Sequence, residues 1–76
     1  MEEAQKVLRE QFLLDAGLDK EYRMLSVAVE LPSGAIETIT NYHDLSNKIK
    51  YYTEVYDEYF RNVHNPDIVI VNCMLV

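Results

Sequence analysis

The stretch at residues 42–63, YHDLSNKIKYYTEVYDEYFRNV, decides the architecture expected for this chain. Its apolar residues recur at alternating intervals of three and four, the spacing of one face of an amphipathic helix; they are Tyr42, Leu45, Ile49, Tyr52, Tyr56, Tyr59 and Val63. Most charged residues of the stretch fall on the other side of such a helix. The spacing therefore predicts one long helix of about six turns, against which the rest of a 76-residue chain would pack.

A second helical pattern occupies residues 2–16, whose apolar positions are again three and four apart: Ala4, Val7, Leu8, Phe12 and Leu14. Glu2 and Glu3 stand in its first turn, where negative charge is favourable. Gly17 follows, and glycine ends helices readily because it adopts a left-handed conformation without a steric penalty. We therefore predict a first helix over residues 2–16.

Between the two helices the pattern changes to that of strands. Residues 22–31 alternate between two sets of side chains, as in a half-buried strand. The Pro-Ser-Gly sequence at 32–34 predicts a tight hairpin turn, and residues 35–40 form a shorter, more polar strand suited to a sheet edge. Because Ile36 and Ile39 would lie on opposite faces, the pairing register stays open.

The long helix has expected boundaries at both ends. Thr40 or Asn41 is placed to cap its start, and it must end before Asn65, which precedes a proline. Residues 68–76 then form a run that is apolar on both faces, which is typical of an interior strand.

These elements predict one α+β domain over residues 1–76, with the order αββαβ and a three-stranded, mainly antiparallel sheet packed with two helices. We expect the strand order 2-1-3, because it places the two most apolar strands side by side. In the alternative, the third strand lies parallel to the second through a right-handed crossover.

Composition limits the classes of partner and compartment. Thirteen acidic and seven basic residues give a net charge of −6, so nucleic acid is not an expected partner, whereas a basic protein is favoured electrostatically. The charge is also what keeps many small domains soluble. The single Cys73 fits a reducing compartment, and no signal-like or membrane-spanning apolar run occurs. We expect a cytoplasmic protein without a membrane partner.

Residues that carry chemistry are sparse and scattered. His43 and His64 would be separated by about 30 Å of helix, too far to share a metal ion or a substrate within one chain. Cys73 lies in an apolar strand, where a packing role is expected. With no phosphate-binding loop, paired-cysteine metal motif or nucleophile elbow, the sequence predicts no enzyme, no cofactor and no metal site.

The tyrosines crowded into the long helix are the most unusual feature of the composition. Most fit the apolar stripe, but Tyr51 points away from its centre, towards the acidic residues of the helix. Exposed tyrosine is enriched at protein interfaces. The candidate partner-binding residues are therefore Tyr51, Glu54, Asp57 and Glu58.

Together these features predict a non-enzymatic acidic interaction protein that binds another protein and forms a homodimer. Analogy with small acidic inhibitors and adaptors of phages and mobile elements favours an adaptor or inhibitor, and an acidic face that mimics nucleic acid is one variant. Two helices on one sheet face would leave the other face for a second copy; alternatively, the first helix crosses over and seals it. The competing hypothesis is a small enzyme or ligand-binding domain with a site formed between subunits.

Overall fold

A computed structural model describes residues 2–18 and 21–76, so that Met1, Asp19 and Lys20 of the predicted domain lie outside the described residues. The chain forms α1 (Glu2–Ala16), β1 (Leu25–Glu30), β2 (Ile36–Asn41), α2 (Leu45–Val55) and β3 (Val69–Leu75). The strands make one antiparallel sheet in the order β2-β1-β3. The α+β class, the αββαβ order and the 2-1-3 sheet are confirmed.

The β1–β2 connection is a tight hairpin with the predicted glycine at its critical position. The Leu31 N–H donates to the Ala35 carbonyl, and the Gly34 N–H donates to the Leu31 carbonyl, both at 2.8 Å. Gly34 has φ 88, which favours glycine because it has no Cβ to clash. This turn fixes the register that the sequence had left open, with Val27 opposite Ile39.

Both helices pack on one face of the sheet. The buried residues of β1 alternate along the strand, and they join side chains from both helices and from later segments in one cluster; its members are Phe12, Leu25, Val27, Val29, Tyr52, Tyr56, Phe60 and Ile70. The domain therefore has two layers, and the alternative in which the first helix seals the opposite face is wrong. Within the described residues, neither helix is long and apolar enough to cross a membrane.

The prediction of an interior third strand is wrong, because β3 is the other edge of the sheet. Residues 60–62 run beside its start: Ile70 N–H donates to the Phe60 carbonyl at 2.9 Å, and Asn62 N–H to the Ile68 carbonyl at 2.8 Å. The register with β1 also shifts near Val29, which leaves Val71 without an opposite residue. Apolar residues on both sides of β3 thus reflect a covered edge and a bulge.

The predicted long helix over residues 42–63 is also wrong. Helix α2 is preceded by Asp44, not by Thr40 or Asn41, which both belong to β2; Asp44 has φ 56 and makes no capping hydrogen bond from its side chain. The helix ends at Val55, and Tyr56 adopts an extended conformation. Two of the residues expected on the buried stripe, Tyr42 and Val63, lie outside the helix and are exposed.

A second tight hairpin replaces the last turns of that helix, and it repeats the hydrogen bonds of the first. The Asp57 N–H donates to the Arg61 carbonyl, and the Phe60 N–H donates to the Asp57 carbonyl, both at 2.9 Å. Phe60 therefore occupies the position of Gly34 in the first hairpin, with φ 57. A bulky residue in this region carries a steric penalty, and here the ring is fully buried in the core.

Candidate functional site

The four candidate partner-binding residues do not share one helix face. Tyr51 and Glu54 are exposed, three residues apart on α2, so they do lie on the same side of that helix. Asp57 and Glu58 belong to the second hairpin instead. Tyr51 and Glu54 thus lie together on α2, whereas Asp57 and Glu58 lie outside the helix.

Asp57 is a structural residue of the second hairpin. Its Oδ1 accepts the Tyr59 N–H at 2.8 Å and the Arg61 N–H at 3.0 Å, while its Oδ2 accepts the Arg61 Nε–H at 3.1 Å. A side chain that binds nearby backbone N–H groups competes with helix formation, which explains why the helix stops before it. Arg61 also lies 3.7 Å from the Glu2 carboxylate, linking the hairpin to the start of α1.

These contacts shift the pKa of Asp57. Burial raises the pKa of Asp57. Hydrogen bonds from the Arg61 and Tyr59 backbone, together with the nearby Arg61 guanidinium, lower it by more than burial raises it, so the pKa lies below its ordinary value. Because the folded-state pKa is depressed, the stabilisation is present above about pH 4 and is lost as the pH falls through the folded value.

We expect Asp57→Asn to lower the free energy of unfolding by about 1–2 kcal/mol at pH 7, because a neutral amide cannot accept all three hydrogen bonds as a carboxylate does. The deficit relative to wild type should shrink as the pH falls below about 4, because the wild-type carboxyl becomes protonated as the pH drops through its depressed pKa. Urea denaturation at pH 7 and over this acid range measures it. Glu58→Gln, an exposed neighbour, is the control, and a deficit for Asp57→Asn that stays constant with pH would contradict this role.

The exposed side of α2 is not acidic. Its charged residues are Lys48, Lys50 and Glu54, all exposed, so the helix carries one more positive than negative charge. The acidic face expected from the sequence depended on Asp57 and Glu58 continuing the same helix. The net charge of −6 is instead spread over several elements.

The tyrosines divide between core and surface, and apart from the exposed Tyr42 and the half-buried Tyr59 they do so as their spacing suggested. Tyr52 and Tyr56 are buried with ring centroids 5.9 Å apart, and Tyr59 is half-buried beneath Arg61, whose guanidinium carbon lies 4.9 Å from the ring centre. Tyr51 is 49% exposed and packs edge-on against Tyr52 at 5.0 Å. The core therefore holds the exposed Tyr51 ring in a defined position, as a binding residue requires.

The histidines and the cysteine are not assembled into a site. His43 and His64 are exposed in the segments before α2 and after the second hairpin. Burial raises the pKa of the half-buried Cys73 thiol to about 12, with a further contribution from the charge of Asp15, so the reactive thiolate is scarce at neutral pH. Among residues 2–18 and 21–76, no three His, Cys, Asp or Glu side chains are grouped as metal ligands.

Two clefts were not anticipated from the sequence, because each is built from segments distant along the chain. A mainly apolar cleft of about 390 Å³ lies between the start of α1, the second hairpin and β3; it is lined by Glu2, Ala4, Gln5, Glu30, Tyr59, Arg61, Val69 and Val71. A more polar cleft of about 420 Å³ includes His43 and Asp44 beside the start of α2. Neither cleft includes Cys73 or His64.

The sheet face opposite the helices remains uncovered in the described residues. This face carries both polar and apolar residues, among them Ser26, Ala28, Ile36, Thr38, Thr40, Asn72 and Met74. Ile36 is 58% exposed and Met74 50% exposed. Antiparallel sheets tolerate one face in water when that face is partly polar, so this face is a moderately apolar surface and not an exposed core.

Comparison with known proteins gives no functional assignment. No protein family matches the sequence, and neither the curated proteins nor the solved structures contain a significant match to it.

Proposed function

We propose that the protein is a non-enzymatic adaptor or inhibitor that acts by binding another protein and that works as a homodimer. The observation that carries the proposal is the uncovered side of the sheet. There β2 is exposed along nearly its whole length, and Ile36 and Met74 expose large apolar side chains on the open face. Exposed apolar residues on an open sheet face, and an unpaired strand edge such as that of β2 in the described chain, are surfaces that another protein chain covers well.

The contact with the heterologous partner is assigned to Tyr51, Glu54 and Glu58. The Tyr51 ring is fixed against the core by Tyr52, so little side-chain entropy would be lost when a partner covers it. Glu54 and Glu58 supply exposed negative charge near the end of α2, whereas the exposed Lys48 and Lys50 lie about one to two turns earlier in the helix. A protein with a basic surface suits this combination, and nucleic acid does not.

The cytoplasm is the compartment that we assign to this function. Cys73 is a free, half-buried thiol, and no other cysteine is present to form an internal disulfide. A reducing environment keeps such a thiol unmodified.

Capture of partners from the native host tests the heterologous contact. The tagged wild-type protein is compared with Glu54→Lys/Glu58→Lys, a variant that leaves Asp57 and therefore the second hairpin intact. We expect the main captured protein to be lost with this variant, because electrostatic complementarity governs encounter and specificity.

The matched control is Glu3→Lys/Glu10→Lys on the exposed side of α1, which changes the net charge by the same amount. This control should retain the captured protein. Equal loss of the captured protein in both variants would show that overall charge, and not the site at Glu54 and Glu58, governs binding. Unchanged capture by both variants would refute the assignment to Glu54 and Glu58.

A further inference from the structure

The two edges of the sheet differ sharply in how they are protected. The edge of β3 is occupied at several points: residues 60–62 pair with its start, the Gln5 side chain donates to the Ile70 carbonyl, and the Asn72 side chain accepts the Cys73 N–H at 3.0 Å. Along β2, by contrast, the only pairing among the described residues is with β1. Within the described part of the chain, the outer edge of β3 is therefore partly covered, whereas the outer edge of β2 is open to pairing.

The free backbone groups on β2 follow from the hairpin. The Leu31 N–H donates to the Ala35 carbonyl. Because hydrogen-bonded pairs alternate along an antiparallel ladder, the backbone N–H and C=O groups of residues 37, 39 and 41 point towards β1. The N–H and C=O groups of Ile36, Thr38 and Thr40 therefore point away from the sheet. They form an evenly spaced row that matches the hydrogen-bonding pattern of another strand.

β2 carries few of the features that discourage such pairing. Natural edge strands are usually guarded by proline, lysine or a bulge, whereas β2 reads IETITN and pairs with β1 without interruption. It contains one charged residue, Glu37, and four β-branched residues, which favour strands.

We propose that the open edge of β2 binds the β2 strand of a second copy, antiparallel about a two-fold axis at Thr38, to form a continuous six-stranded sheet. This inference rests on the homodimer of the proposed function and specifies where its two copies meet. In this register Thr38 lies opposite Thr38 of the second copy, and Ile36 lies opposite Thr40. About six hydrogen bonds form across the axis, two for each hydrogen-bonded pair.

The sequence of β2 is self-complementary in this register, which favours a second copy as the occupant. Glu37 lies opposite Ile39 and not opposite itself, so no carboxylates face each other across the axis, whereas an axis at Glu37 would place two acids in direct opposition. On the open face of the sheet, β-branched side chains pair across the axis, Thr38 with Thr38 and Ile36 with Thr40. The net charge of −6 on each copy opposes association at long range, so salt that screens this repulsion strengthens the dimer.

Sedimentation equilibrium at tens to hundreds of micromolar tests the proposal. Wild type should approach twice its 8.9 kDa mass, more completely at high salt. Thr38→Pro removes an N–H that points away from β1, so β1–β2 pairing survives. It should raise the dimer dissociation constant by at least about tenfold, as expected for the loss of hydrogen bonds across the axis. Thr38→Val retains the N–H and should dimerise as wild type does.

A further pair of variants tests the register. Thr38→Cys should form a cross-linked dimer on mild oxidation, because directly opposed residues in such a pair lie about 5.5 Å apart between Cα atoms, within disulfide range. Glu37→Cys, offset from its own copy, should not. The native Cys73 is a poor competitor, since burial suppresses its thiolate.

The alternative outcomes are distinct. A wild-type monomer at all salt concentrations overturns both the edge proposal and the homodimer, but it leaves the heterologous contact of Glu54 and Glu58 standing. A dimer unaffected by folded Thr38→Pro overturns the edge proposal alone. If Met74→Lys on the open face then breaks that dimer, the two copies stack face to face instead. Circular dichroism verifies that each variant is folded.

Discussion

Phe60→Ala is expected to lower the free energy of unfolding by about 3–5 kcal/mol, since it removes a fully buried aromatic ring and leaves a cavity. The total stability of a domain this size is about 4–11 kcal/mol, so much of it would be lost. Phe60→Gly should be more stable than Phe60→Ala by about 1 kcal/mol, although glycine is smaller. The reason is its φ of 57, which glycine adopts without the penalty that alanine carries.

Phe12 provides the matched control, because its ring packs against Phe60 with centroids 5.9 Å apart and is buried in the same core. Phe12 is helical, so the order should reverse: Phe12→Ala should be more stable than Phe12→Gly by about 1 kcal/mol, the helix-propensity difference. Urea denaturation of the four variants measures both differences. The same order at both positions would show that Phe60 is not left-handed and that the helix continues through it.

Tyr52→Ala is expected to destabilise the protein by about 2–4 kcal/mol, because this side chain is only 5% exposed and its ring packs against those of both Tyr51 and Tyr56. The adjacent Tyr51→Ala should cost less, about 0.5–1.5 kcal/mol, the typical contribution of an edge-on aromatic pair. Chemical denaturation of the two variants measures this contrast. Equal losses at the two positions would mean that the buried face of α2 is assigned incorrectly.

Tyr52→Phe separates the hydroxyl group from the ring. Burial raises the pKa of Tyr52 above its ordinary value of 10.0, the charges of Tyr56, Tyr51 and Cys73 raise it further, and the nearby Asn41 side chain acts in the opposite direction. Because the folded-state pKa is raised, the associated stability is present below pH 10 and is lost as the pH rises above it. Tyr52→Phe should keep most of the stability at pH 7 and lose less than wild type above pH 10.

Much of the fold was predictable because its determinants are local. The helix over residues 2–16 follows from apolar spacing and Gly17, and the first hairpin follows from a glycine at the position that needs a positive φ. The strand order followed from antiparallel neighbours and from placing the most polar strand outside. For the candidate site, the exposure of Tyr51 and Glu54 was likewise predicted by their position on α2.

The end of α2 was not predictable, since spacing of three and four residues persists beyond it. Tyr56 faces the core although it no longer belongs to the helix, so the pattern of buried residues continues across the change of structure. Both a helix and the Asp57-centred hairpin satisfy the local hydrogen bonds. Burial of Phe60 against Phe12 favours the hairpin, and that contact joins residues distant in sequence.

The same reason explains which surfaces the sequence could and could not determine. The polar character of β2 identified it as an edge, because that property belongs to the strand itself. The protection of β3 by residues 60–62, Gln5 and Asn72, and the bulge at Val71 that brings Ile70 and Cys73 to the same face, arise only when separate segments meet. Local sequence thus determined the elements and their order, whereas long-range packing decided where α2 stops, which acids share a surface, and which sheet edge stays open.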